Sequence, residues 1–135
     1  DIQGVPCAVM ICFESTFPSI SREFVNEGAE VLVYVVNDGW YEHAPEPQQH
    51  AKQSIYRAIE NRRPVIRCAN TGISMIIDET GNISHQLPLN KKGMIEATIQ
   101  SKNKTTFYTK YGDIFSQLNV LASLLLLVVS IIRKK

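Results

Sequence analysis

Cysteine is scarce in this 135-residue chain: Cys7, Cys12 and Cys68, with no CxxC spacing among them. Histidine is equally scarce, and His43 and His50 lack the spacing of a metal-ligand pair. Structural zinc sites take four such ligands and catalytic ones three, at characteristic intervals, so the sequence argues against a zinc centre. Charge of either sign is not in excess, the formal net being +1, which gives no footprint for a nucleic-acid partner. Internal repeats and low-complexity stretches are missing as well. So are an initiator methionine and a signal peptide: the chain opens on "DIQGVPCAVMIC", which reads as a strand already under way. The expectation is a C-terminal piece of a longer protein.

With 44% hydrophobic and 20% charged residues the composition is ordinary for one modest domain, but its distribution is not. "IFSQLNVLASLLLLVVSII", Ile114 to Ile132, carries no charge and is followed by "RKK". As a helix it spans about 28 Å at roughly 1.5 Å per residue, close to the hydrocarbon thickness of a bilayer. Ser116, Gln117, Asn119 and Ser123 are the features that suit a buried core helix instead. Residues 120–132, however, are almost purely aliphatic all round and leave no polar face. A transmembrane helix over 113–135 is expected, with its basic end in the cytoplasm and residues 1–112 outside it. In that compartment an odd number of cysteines leaves at least one thiol free or intermolecular.

Upstream of the span the pattern is layered. "CAVMICF" and "EVLVYVVN" read as strands buried on both faces. Between them Pro18, a candidate cap at Ser19, the apolar residues Ile20, Phe24 and Val25, and Gly28 punctuate a helix. A second helix is expected from about Gln48 to Arg62, with Ala51, Ile55, Ala58 and Ile59 on one face. "PVIRCA" reads as a third strand. "ISMIIDETGNISHQL" reads as a hairpin turning at Gly81, and "GMIEATI" as a last strand. This order indicates an α/β layered fold.

Loops at strand ends are where such folds keep their sites, and three are candidates: Cys12–Glu14, Asn37–Tyr41 and Asn70–Gly72. Each has a plain structural reading. Free cysteine is commonly an inert core residue, Glu14 a solvated acid, Asn37, Asp38 and Asn70 turn formers, and His50 a capping or packing residue. Burial does not account for Cys12 and Glu14 together, because it suits a thiol and penalises a carboxylate.

"ICFESTFP", "VNDGWY", "QQHAKQSIYRAIENRRPVIRCANTGIS" and "DETGNI", in this order and spacing, resemble the carbon–nitrogen hydrolase (nitrilase) superfamily. The likeness is greatest to its membrane branch, the apolipoprotein N-acyltransferases, and runs from about residue 3 to residue 112. The resemblance implies the C-terminal part of an α-β-β-α sandwich followed by one transmembrane helix. It implies Cys12 as nucleophile, Glu14 as a supporting acid, and the Phe13 backbone N–H as an oxyanion-hole donor. Asn37, Trp40, Tyr41 and Asn70 would line the substrate site; Arg57, Glu60, Arg63 and Pro64 look structural.

The activity implied is transfer of a fatty acyl chain from a phospholipid, through a cysteine thioester, to the N-terminal amine of a diacylglyceryl-cysteine lipoprotein. It needs no cofactor and no metal, and it places the protein in the bacterial inner membrane with its globular part periplasmic. The family's glutamate base and lysine lie upstream of the cysteine motif and have no counterpart in these residues, so the chain alone is expected to be inactive. Like-charge repulsion argues against Glu14 as the activating base, which leaves it a positioning role. The connector "QSKNKTTFYTKYGD" would lie at headgroup level, with Phe107, Tyr108 and Tyr111 as interfacial aromatics. Two other readings share these residues: a membrane-tethered amidase hydrolysing a small amide, and a non-catalytic domain in which Cys12 is packing.

Overall fold

The structure, a computed structural model, describes residues 4–40 and 45–133. Strands β1 (Cys7–Ile11), β2 (Val31–Val36), β3 (Val65–Ala69), β4 (Ser74–Ile77) and β5 (Ile83–Leu87) form one sheet in the order β1-β2-β3-β4-β5. The first three strands run parallel, and β4 and β5 are added antiparallel. Helices α1 (Pro18–Asn26) and α2 (Glu46–Asn61) are the crossovers that parallel pairing requires. Pro18 itself occupies the first turn of α1, where its missing N–H costs nothing, with Phe17 as the cap; Ser19 lies inside the helix instead of capping it.

Both helices pack on the same side of the sheet. Met10, Leu32, Tyr34, Val65, Met75 and Ile77 form the core there, and each fully buried apolar side chain contributes about 1.5–3 kcal/mol. The other side departs from the expectation of strands buried on both faces: Val9, Ile11 and Val35 are 57%, 68% and 49% exposed. The strands are apolar on both faces, but only one helical layer is present among the described residues. "GMIEATI" is not a strand. It runs as irregular chain past this open side, where Ala97, Thr98 and Ile99 line a cleft with Val5, Cys7, Val31 and Ile66 without joining the sheet.

The hairpin turns as expected, with Gly81 at φ 91° and Asp78 Oδ1 accepting from the Thr80 and Asn82 N–H groups at 2.8 and 2.9 Å. Beyond it, the polar connector contains a short helix, α3 (Phe107–Tyr111). Arg22 Nε and Asn26 Nδ2 donate to the Thr109 carbonyl at 2.8 and 3.1 Å, and Thr109 Oγ1 donates to Asn61 Oδ1 at 3.1 Å. These bonds tie α3 to α1 and α2. Helix α4 (Ile114–Arg133) follows; it is 20 residues long, none of them buried, and long and apolar enough to cross a membrane.

Candidate active site

Parallel pairing carries the ends of β1, β2 and β3 to one edge of the sheet. Ile11 is level with Val35, and Val35 with Cys68, so Cys12, Asn37 and Asn70 all emerge just beyond that row. At the end of β1 the chain turns sharply: Cys12 has φ 49°, the left-handed region, and opens a 3-10 turn over Cys12–Thr16. For a residue with a Cβ this conformation costs roughly 1–2 kcal/mol and persists only where its surroundings impose it.

Four contacts impose it here. Glu14 Oε2 accepts the Ile11 N–H at 2.6 Å, reaching back across the turn. Ser15 Oγ donates to the Cys12 carbonyl oxygen at 2.9 Å, and Thr16 Oγ1 to that of Phe13 at 2.7 Å. The Cys12 thiol, half-buried, points at the Asn37 carbonyl oxygen 3.8 Å away. Glu14 thus braces the backbone that presents the thiol.

Asn37 Oδ1 accepts from the Gly39 N–H at 3.2 Å and lies 3.5 Å from Asn70 Nδ2, joining the second and third loops. Trp40 stands out from this edge, 81% exposed; Phe13 is half-exposed. Tyr41 lies outside the described residues. Asp38, by contrast, turns inward and is 3% exposed. Gly72 sits so close to it that any Cβ there would overlap the Asp38 carboxylate.

Behind the turn lies a buried polar chain that the sequence reading did not assemble. Arg67 Nη2 donates to Asp38 Oδ2 at 3.0 Å, and His50 Nδ1 is 2.8 Å from Asp38 Oδ1. His50 Nε2 faces Ser15 Oγ at 2.9 Å and the Cys12 carbonyl oxygen at 3.1 Å. Burial works against the Asp38 charge, but the His50 hydrogen bond and the Arg67 guanidinium outweigh it and hold the carboxyl below its ordinary value. Burial likewise lowers Arg67, with Asp38 restoring part of the loss. The ring of His50 also stacks obliquely on Phe13, centroids 5.3 Å apart.

A signal for this chain was present in α2. Its buried side carries His50, Ser54, Arg57 and Asn61 alongside Ala51 and Ala58, a polar stripe at helical spacing, whereas Ile59 is 41% exposed and not on the buried face. Polar side chains on a face meant for the core must find partners there.

The sequence model of the carbon-nitrogen hydrolase family matches residues 1–107. The chain belongs to that family. It is homologous to apolipoprotein N-acyltransferases: it is 41% identical to the one from Thermotoga maritima over 131 residues, 97% of this chain and 26% of that protein. To the one from Chlorobaculum tepidum it is 37% identical over 135 residues, 100% of this chain and 25% of that protein. The chain therefore spans about a quarter of the length of these relatives. A carbon-nitrogen hydrolase crystal structure from Helicobacter pylori superposes with a TM-score of 0.56 at 20% identity, covering 64% of this chain and 37% of that one. That likeness establishes the fold: the mixed sheet and its helical layer are those of a nitrilase-like αββα architecture, with the apolar helix α4 in addition. Within this family the positive φ of Cys12 and the convergence of three strand-end loops make one edge of the sheet the candidate active site.

Proposed function

We propose that residues 1–112 form part of the periplasmic acyltransferase domain of a bacterial inner-membrane protein, and that 113–135 anchor it with the C-terminus in the cytoplasm. The reaction is transfer of a fatty acyl chain from a phospholipid to the N-terminal amine of a diacylglyceryl-cysteine lipoprotein. The observation that carries the reading is Cys12 held at φ 49° where β1 ends, its thiol turned toward Asn37. A strained turn of this kind lifts a nucleophile clear of the sheet while leaving backbone N–H groups beside it.

In the first half-reaction the Cys12 sulfur adds to the ester carbonyl, and the Phe13 N–H stabilises the oxyanion, a contribution worth about 3–4 kcal/mol per donor. The C–O bond breaks, and the thiol proton leaves on the lysophospholipid hydroxyl. In the second, the lipoprotein amine adds to the thioester carbonyl, the C–S bond breaks, and the thiol is regained. The proton carrier and a second oxyanion donor are the glutamate and lysine that the family resemblance places outside these residues. Glu14 braces the turn; Asn37, Trp40, Tyr41 and Asn70 border the acyl and amine sites. Both substrates are lipids, which is the reason for a bilayer anchor.

The test is intact-mass analysis of the full-length protein after incubation with phospholipid vesicles, wild type against Cys12→Ala. A hydroxylamine-labile fatty-acyl adduct that is lost in the variant and discharged by a lipopeptide amine is the expected result. Discharge to water alone would identify a tethered amidase. A folded protein whose Cys12 takes no acyl group would sink the reading.

A further inference from the structure

The peptide unit that joins Cys12 to Phe13 carries two groups at once: the Cys12 carbonyl and the Phe13 N–H. Because the unit is planar and trans, these two point in opposite directions, and fixing one aims the other. Ser15 Oγ and His50 Nε2 hold the carbonyl oxygen at 2.9 and 3.1 Å, on the buried side. Asp38, accepting from Nδ1, leaves Nε2 to face that carbonyl. Both ring nitrogens face oxygen partners: Nδ1 the Asp38 carboxylate, Nε2 the Cys12 carbonyl and Ser15 Oγ. Arg67 in turn fixes Asp38, and Gly72 leaves room for the carboxylate.

We infer that His50 is a positioning residue for the oxyanion hole: backed by Asp38 and Arg67, it locks the Cys12–Phe13 peptide so that the Phe13 N–H points at the substrate side. The inference rests on the acyl-transfer reading of Cys12, which supplies the oxyanion. It assigns a role to a residue that never touches substrate, and it separates two kinds of Cys12 chemistry. Addition to a carbonyl develops an oxyanion and needs the aimed N–H. Alkylation by iodoacetamide is a displacement at saturated carbon and develops none.

Two variants divide the contacts of His50. His50→Asn places an amide near the Nδ1 position, keeping a partner for Asp38 and losing the Cys12 carbonyl. His50→Gln places an amide N–H near the Nε2 position and keeps that carbonyl bond. In the full-length protein, peptide-resolved mass spectrometry at Cys12 would follow acylation by p-nitrophenyl butyrate and, separately, alkylation by iodoacetamide.

The expected result is acylation lowered on the order of 10²-fold in His50→Asn and by less than about tenfold in His50→Gln, the size of one oxyanion donor against one altered hydrogen bond. Alkylation stays near the wild-type rate in both. Equal acylation losses in the two variants, or acylation and alkylation falling in step, would overturn the inference, because a turn that merely loosens slows both reactions. The ester probe keeps the two claims apart. Wild-type Cys12 acylated by the ester but not by phospholipid refutes the proposed donor and leaves the role of His50 standing. Wild-type Cys12 acylated by neither refutes both.

Discussion

Helix α2 buries polar clusters at both of its ends, and they are built differently. At the N-terminal end, His50, Asp38, Arg67 and Ser15 meet as matched donors and acceptors at 2.8–3.0 Å. At the C-terminal end, Arg57 and Glu60 pair at 3.0 Å through Nη2 and Oε1. There Arg57 Nε lies 2.9 Å from Glu60 Oε2 but is misaligned for a hydrogen bond, and Arg57 Nη1 has no partner among the described residues. Burial raises the Glu60 carboxyl above its ordinary range, with Arg57 only partly opposing it. Buried polar groups stabilise a particular geometry only when all of them are satisfied. The satisfied cluster stands behind the cysteine turn; the incompletely bonded pair stands beside α3.

The comparison breaks most sharply at Asp38. Asp38→Ala strands a guanidinium that is 1% exposed, and unfolding of the domain should show a loss of about 3–5 kcal/mol. A loss below about 1 kcal/mol would mean that water replaces the carboxylate and that the cluster is not closed. The same residue sets an acid limit. Its folded pKa lies below the ordinary value of 3.8, so its stabilising effect is complete above that pH and is lost as pH falls through the folded value. A titration of thermal stability should therefore show an acid limb that Asp38→Asn flattens; an unchanged limb would place the acid sensitivity elsewhere.

Gly72→Ala drives a methyl group into the Asp38 carboxylate from outside, and a loss of about 2–3 kcal/mol is expected in the same unfolding measurement. At the other end, Asn61→Ala removes the acceptor of Thr109 Oγ1 and the donor to the Arg57 carbonyl, which should cost about 1–2 kcal/mol and speed amide exchange in α3. The smallest effect is expected from Arg57→Met with Glu60→Gln, which should fall within about 1 kcal/mol of the parent because an incompletely bonded ion pair is removed whole. A loss as large as that of Asp38→Ala would erase the distinction between the two ends.

Much of this was legible in the sequence. Apolar runs marked β1, β2 and β3, punctuation marked α1 and α2, and the three loops that meet at the edge were named from their positions after strands. The uncharged run marked α4. Two-sided burial was expected because a continuous apolar run reports what a strand can bury, not which layers lie against it; Val9 and Ile11 have the right character and no cover among the described residues. "GMIEATI" failed because β-propensity says nothing of whether an edge is there to pair with. The Arg67–Asp38–His50 chain joins three elements far apart in sequence, and it depends on the register that sets Tyr34 beside Arg67. No local pattern encodes that. Glu14 was seen as an acid near a thiol, but its bond to the Ile11 N–H follows only from the turn that Cys12 makes.

Between the last residue of α3 and the first of α4 stand only Gly112 and Asp113. Fully extended, such a joint reaches about 10 Å. Were α4 placed in a bilayer, with α3 bound to α1 and α2, the candidate edge would be held at a nearly constant height above the lipid. A molecule confined to the same leaflet would then meet it by drift in two dimensions, at a height that the short joint sets.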